Sequence, residues 1–207
     1  MTIDLRLYVV TDEPQTGDRG VPATVQSAIA GGATIVQLRD KTASTRALMA
    51  KARALLSICR PAGVPLLIND RVDVALASGA DGVHLGQSDM EARDARRVLG
   101  PDAIIGVSIR NEAEIEIAQR DGATYLAANG VWTTATKTDF GAPLGCDGLR
   151  KLVSASRLPM VAIGGIGVEQ APMIAEAGCA GIAVVSAVMK APDPRLACMA
   201  LRRAFGR

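Results

Sequence analysis

Three cations and two carboxylates stand in short polar runs that interrupt an otherwise apolar chain. Arg39 and Lys41 follow Val36-Gln37-Leu38, and Lys137 closes Thr133-Thr134-Ala135-Thr136. Asp70 follows Leu67-Ile68-Asn69, and Asp89 follows Gly86-Gln87-Ser88. Two acidic groups with no His or Cys in their runs suit a hard, oxygen-preferring ion. Mg²⁺ is the foremost case, because it binds through one or two carboxylates and completes its shell with substrate phosphates. With one such ion the five side chains carry about +3, a charge that a pyrophosphate ester would nearly balance. Separately, Gly164-Gly165-Ile166-Gly167 and Ser186 offer backbone N–H groups that an anion can approach closely. The residues thus point to two anionic groups, one bridged by metal and one cradled by backbone.

Each residue also has a plainer use. Asp70 could cap a helix starting at Arg71, and Asp89 one starting after Ser88. Arg39 and Lys41 could be solvated loop charges, Thr134 and Thr136 ordinary turn residues, and a GGxG run a common turn. His84 lies inside a strand with no partner cluster and reads as a hydrogen-bonded core residue. Tyr125 and Trp132 read as packing residues, and Cys146, with no partner His, as structural. The plainer uses lose ground only if the polar runs converge, which depends on the elements that carry them.

Those elements alternate. Compact apolar runs with little polar alternation predict strands at Leu5–Thr11, Thr34–Arg39, Pro65–Asn69, Gly82–Leu85, Ala103–Ser108, Thr124–Ala128, Met160–Gly164 and Gly181–Ser186. Between them, apolar residues at three- and four-residue spacing predict helices such as Thr45–Cys59 and Glu112–Arg120. Met199–Arg207, with Leu201 and Phe205 four apart, reads as the last helix. Glycines at Gly31-Gly32, Gly79, Gly122 and Gly178 sit where helices must end before strands two, four, six and eight. Eight strands with intervening helices at about 26 residues per unit fit a closed α/β barrel, the TIM (βα)8 fold, as a single domain over residues 1–207. In such a barrel every polar run named above falls at a strand's carboxyl end, where the chemistry of these folds resides.

Composition narrows the classes. The chain has 207 residues, a formal net charge of +2 and five aromatic side chains, so nucleic acid and a polybasic membrane surface are poor partners. No apolar run approaches the ~20 residues of a membrane span, and the first residues lack a signal-peptide layout. Cys59, Cys146, Cys179 and Cys198 are widely spaced, as reduced thiols of a cytoplasmic protein would be. Small-molecule substrates are the expected partners, and a homo-oligomer is not readable.

An ordered set of motifs resembles thiamine phosphate synthases. They are Leu7-Tyr8-Val9-Val10-Thr11-Asp12, Val36-Gln37-Leu38-Arg39-Asp40-Lys41, Leu67-Ile68-Asn69-Asp70-Arg71-Val72-Asp73, Gly82-Val83-His84-Leu85-Gly86-Gln87-Ser88-Asp89, Thr134-Ala135-Thr136-Lys137, Ala162-Ile163-Gly164-Gly165-Ile166 and Val184-Val185-Ser186. The resemblance implies a TIM barrel that is a Mg²⁺-dependent transferase. A thiazole phosphate nitrogen would replace the pyrophosphate of a hydroxymethylpyrimidine. It implies that Gln37, Leu38, Arg39, Asp40, Lys41, Asn69, Ser108 and Lys137 hold the pyrimidine pyrophosphate, with Lys137, Ser108, Arg39 and Lys41 acting in catalysis. It implies Asp70 and Asp89 as metal ligands, and Thr134, Ala135, Thr136, Gly165, Val185 and Ser186 around the thiazole phosphate. Two segments depart from the family pattern: Val107-Ser108-Ile109-Arg110, where a His usually follows, and Leu126-Ala127-Ala128-Asn129-Gly130-Val131-Trp132, which is usually richer in glycine and has a proline. A thiazole tautomerase of the same fold would need that His as a base, and Arg110 is a poor one. A barrel that binds a thiamine precursor without catalysis is the other alternative.

Overall fold

The computed structural model describes residues 3–133 and 142–206. The eight apolar runs form strands β1 Leu7–Val10, β2 Ile35–Leu38, β3 Leu66–Asn69, β4 Gly82–Leu85, β5 Ile104–Ile109, β6 Tyr125–Asn129, β7 Met160–Ile163 and β8 Gly181–Val184. All neighbours are parallel, in sequence order, and β1 pairs with β8 to close the barrel. Helices α1 Gly20–Ala30, α2 Thr45–Cys59, α3 Val72–Ser78, α4 Ala92–Leu99, α5 Glu112–Arg120, α6 Gly145–Ala155, α7 Ala171–Glu176, α8 Ser186–Met189 and α9 Pro194–Phe205 surround it.

Local chemistry explains where the observed bounds match or move. Helices α2 and α5 run as expected, each started by a side-chain cap: Ser44 Oγ accepts from Ala47 N, and Asn111 Oδ1 from Glu114 N. The last helix begins at Pro194, five residues before the expected start, because Asp193 caps it through Leu196 N and proline suits its first turn. Strands β7 and β8 stop short of Gly164 and Ser186, since Gly164 turns at φ 115° and Ser186 already opens α8. Strand β6 is shifted one residue toward the C-terminus, starting at Tyr125 and ending at Asn129. With side chains alternating, Tyr125, Ala127 and Asn129 all belong to its inner face.

The strands bury both faces, which is why their sequences lack alternation. Leu7, Val9, Val36, Leu38, Leu66 and Ile68 face outward into one large core shared with the helices. Inside the barrel a smaller cluster includes Tyr8, Val10, Ile35, Leu67, Tyr125, Ala127, Val161 and Ala183. Gly106 on β5 makes room for this plug, since a Cβ there would lie 2.1 Å from the Tyr125 ring. The two tyrosine rings meet edge to face at 5.9 Å between centroids, and His84 stacks on Tyr125 at 5.7 Å. Both tyrosines and the sole histidine of the chain therefore fill the barrel's interior.

Candidate functional site

Above the aromatic plug the strand ends enclose a cavity of about 490 Å³, ordinary for a small-molecule site. Its wall contains Gln37, Arg39 and Lys41 from the end of β2, Asn69 and Asp70 from β3, Asp89 after β4, and Ser108 from β5. Gly165, Val185 and Ser186 line it from the ends of β7 and β8. Leu38 and Asp40 are placed elsewhere. Leu38 packs in the outer core, as its strand parity requires. Asp40 is turned to Lys51 Nζ at 2.5 Å and to the N–H groups of Thr42 and Ala43 at 3.0 Å each. The Lys51 bond holds the Asp40 carboxyl down at about 2. Thr134, Ala135, Thr136 and Lys137 lie outside the described residues.

The two carboxylates are not helix caps. Helix α3 starts at Val72 with no side-chain cap, and Asp70 is the one non-glycine residue with positive φ (62°) among the described residues. That left-handed backbone carries strain and aims the side chain at the cavity. Asp89 accepts from Gly86 N at 2.7 Å, behind it in the chain, and α4 begins at Ala92 after Glu91 with no side-chain cap. Burial raises the Asp70 pKa, and the neighbouring Asp89 carboxylate raises it further. Lys41, with Nζ 3.6 Å from Asp70 Oδ2, pulls the other way. Two carboxylates facing each other at one edge of a cavity, with a single lysine for compensation, are a pair short of positive charge. No cluster of three or more His, Cys, Asp or Glu occurs among the described residues. A cation between Asp70 and Asp89 would therefore draw its remaining oxygens from water and ligand, the habit of Mg²⁺.

On the opposite wall the backbone supplies the donors. Gly165 has φ 64° and is pressed against its neighbours, since a Cβ would lie 2.6 Å from Thr133 O and 2.9 Å from Trp132 Cβ. Only glycine meets both demands. Ser186 opens α8, so its N–H belongs to a first turn that has no partner within the helix.

The floor is a polar chain that sequence reasoning resolved only in part. Gln37 Nε2 donates to Tyr8 Oη at 2.5 Å. Tyr8 Oη and Tyr125 Oη are 2.9 Å apart, His84 Nδ1 is 2.8 Å from Tyr125 Oη, and His84 Nε2 is 2.9 Å from Ser108 Oγ. His84 is hydrogen-bonded and nearly buried, as expected of a lone histidine in a strand, yet it also lines the cavity. Burial pushes both phenols upward, so they stay neutral.

Arg110 and Asn129, the unusual residues of the departing segments, also reach the wall. The Arg110 guanidinium donates to Asn129 O at 3.1 Å and Ala142 O at 2.7 Å, while its own N–H is held by Glu114 Oε2 at 2.6 Å. Glu114 is a wall residue with no signal in its sequence context, because it sits in the first turn of a helix whose pattern reads as surface.

The family described as "Thiamine monophosphate synthase" matches residues 7–188. Over 199 residues the chain is 49% identical to a thiamine-phosphate synthase of Azorhizobium caulinodans, covering 96% of this chain and 94% of that protein. It is 50% identical to one from Chloroflexus aurantiacus, covering 97% and 92%. Among solved structures, the thiamine phosphate pyrophosphorylase of Pyrococcus furiosus superimposes with a TM-score of 0.88 at 39% identity, covering 98% and 96%. No described helix is long and apolar enough to cross a membrane.

Proposed function

This chain belongs to the thiamine monophosphate synthase family, and we propose that its barrel mouth joins a hydroxymethylpyrimidine pyrophosphate to a thiazole phosphate. The convergence of Arg39, Lys41, Asn69, Asp70, Asp89 and Ser108 on one wall, opposite the Gly165–Ser186 backbone, is the observation that carries the reading. The chain is a transferase. The C–O bond between the pyrimidine methylene and pyrophosphate breaks, and the electron pair leaves with the pyrophosphate oxygen. The thiazole nitrogen then supplies the pair for the new C–N bond.

Arg39 and Lys41 meet the charge that grows on the departing oxygens, and they bind it more strongly than they bind the intact ester. Lys137, by resemblance, adds to that charge. Asn69 and Gln37 hold the pyrimidine pyrophosphate in register, and the Gly165 and Ser186 amides hold the thiazole phosphate. Asp70 and Asp89 would hold Mg²⁺, which when bound neutralises pyrophosphate charge. The protein provides no nucleophile; its work is to set two rings within reach and exclude water. A tautomerase role finds no base at position 110, since the Arg110 guanidinium is spent on two carbonyls. A cytoplasmic setting suits these small, charged substrates.

The test is thiamine phosphate formation from both precursors, each omitted in turn, with Mg²⁺ or with chelator. Product should form only in the complete mixture. A folded protein that binds either precursor yet forms no product with Mg²⁺ present would refute the synthase.

A further inference from the structure

We propose that Lys51, on α2 and outside the cavity, is a positioning residue for the pyrophosphate half of the site. Its ammonium holds the carboxylate of Asp40, which stands between Arg39 and Lys41 in the chain, so that neither cation is drawn back from the cavity. The inference rests on the reading that a pyrophosphate binds there, and it adds the residue that keeps the two cations available.

The side-chain alternation of β2 continues past its end. Gln37, Arg39 and Lys41 line the cavity, whereas Leu38 and Asp40 do not. Asp40 is thus sent outward against α2, with only 12% of its side chain exposed, and a carboxylate so placed needs partners. Its Oδ1 accepts from the N–H groups of Thr42 and Ala43 at 3.0 Å each and from the Thr42 hydroxyl at 3.1 Å. These bonds close a tight turn over residues 40–43 that includes Lys41. Its Oδ2 accepts from Lys51 Nζ at 2.5 Å. The same ammonium donates to Glu13 Oε2 at 2.5 Å, on the segment that follows β1. From that segment Thr11 Oγ1 also accepts the Arg39 N–H at 3.0 Å. The links Thr11–Arg39 and Glu13–Lys51–Asp40 therefore stitch the ends of β1 and β2 together around the backbone that carries both cations.

Exposure decides which of the two Lys51 pairs matters. Glu13 is 55% exposed, so its pair adds little, whereas Asp40 is largely covered. Without Lys51 the Asp40 carboxylate would stay ionised, because the Thr42 and Ala43 donors still favour its charged form. Its nearest remaining cations along the chain are Arg39 and Lys41. Among the described residues no carboxylate pairs with Arg39, and Lys41 is 56% exposed, with room to turn. A cation that turns back to Asp40 has left the ligand. One that stays works against a fixed negative charge on the side from which pyrophosphate is held.

Calorimetry with inorganic pyrophosphate and Mg²⁺ tests this without turnover. Lys51→Met should weaken pyrophosphate binding about 10-fold, with affinity for the thiazole phosphate unchanged. Adding Asp40→Asn to Lys51→Met should bring pyrophosphate affinity back to within about threefold of wild type. An amide oxygen at position 40 can still accept from Thr42 and Ala43 but carries no charge. Unchanged pyrophosphate affinity in Lys51→Met, an equal loss for both ligands, or a double variant as weak as the single one would each overturn the proposal. If Lys51→Met does not fold, Lys51→Gln, whose amide can still donate to Asp40, is read in the same way. Wild-type protein that fails to bind pyrophosphate would remove the synthase reading and this one with it. Wild-type protein that binds it, with Lys51→Met binding equally well, would overturn the positioning role alone.

Discussion

The two ends of the barrel use similar side chains in opposite ways. At the amino ends of the strands charges are consumed within the chain. The Arg96 guanidinium donates to the carbonyls of Gly100, Pro101, Ala103 and Gly122 and to the Thr124 hydroxyl. Asp81 accepts from Leu66 N at 2.8 Å, and Thr34 and Thr124 each accept a strand N–H from a neighbour, those of Leu7 and Ile105. At the carboxyl ends charge is left over: Asp70 is raised by burial and by Asp89, and its lysine stands 3.6 Å away with 56% of its side chain exposed. Spent charge holds the fold; surplus charge is available to a ligand, and the apo protein is less stable for keeping it.

That contrast can be broken. The largest effect should come from Asp70→Ala, which removes half of the carboxylate pair. It should lower kcat/KM for thiamine phosphate formation by about 10³-fold with Mg²⁺ present, without lowering Tm. Activity within tenfold of wild type would deny that surplus charge serves chemistry. Next comes Arg96→Ala, which strands five acceptors. Its cost should be about 3 kcal/mol by denaturant unfolding, with kcat at 25 °C unchanged. A large loss of kcat there would mean that the amino end also reports to the site.

Asp40 sharpens the comparison, because it sits at the chemical end yet is bonded like the other. Its carboxyl is held at about 2, below the ordinary 3.8, by Lys51. The stability it supplies is therefore present above pH 3.8 and lost as pH falls through about 2. Asp40→Asn should cost about 1 kcal/mol at pH 7 and nothing below that window, as followed by thermal melts across pH. Asp70 should show the opposite slope and the smallest effect. Its pKa is raised, so the deficit exists above the raised value and disappears as pH falls through it toward the ordinary carboxylate value. Without metal, Asp70→Asn should gain about 0.5 kcal/mol at pH 7, and the gain should fade in acid. Equal slopes for the two aspartates would erase the distinction between spent and surplus charge.

The barrel was legible because strands covered on both faces leave unbroken apolar runs, and because helix-ending glycines recur before alternate strands. The site was legible where charge and amide-rich runs fell at strand ends: Arg39, Lys41, Asn69, Asp70 and Asp89 all reach the cavity. Strand parity alone could have removed Leu38, which lies between the inward Gln37 and the loop. What stayed hidden depends on depth and backbone angle. Tyr8 and Tyr125 are 117 positions apart and meet only because the barrel's stagger sets them at one level. The left-handed turn at Asp70 is one that an aspartate tolerates but does not announce, and Glu114 is tied at the wall by the Arg110 N–H and the Asn111 amide.

The chain has one tryptophan, Trp132, half-buried just beyond β6, with its backbone N–H donating to Gly164 O and its Cβ close to Gly165. The side chain packs on the outer core just behind the cavity wall at Gly165, with no second tryptophan to dilute its signal. Ultraviolet fluorescence from this single ring gives the protein a native optical gauge, so stopped-flow traces can time the arrival of each substrate without any added dye.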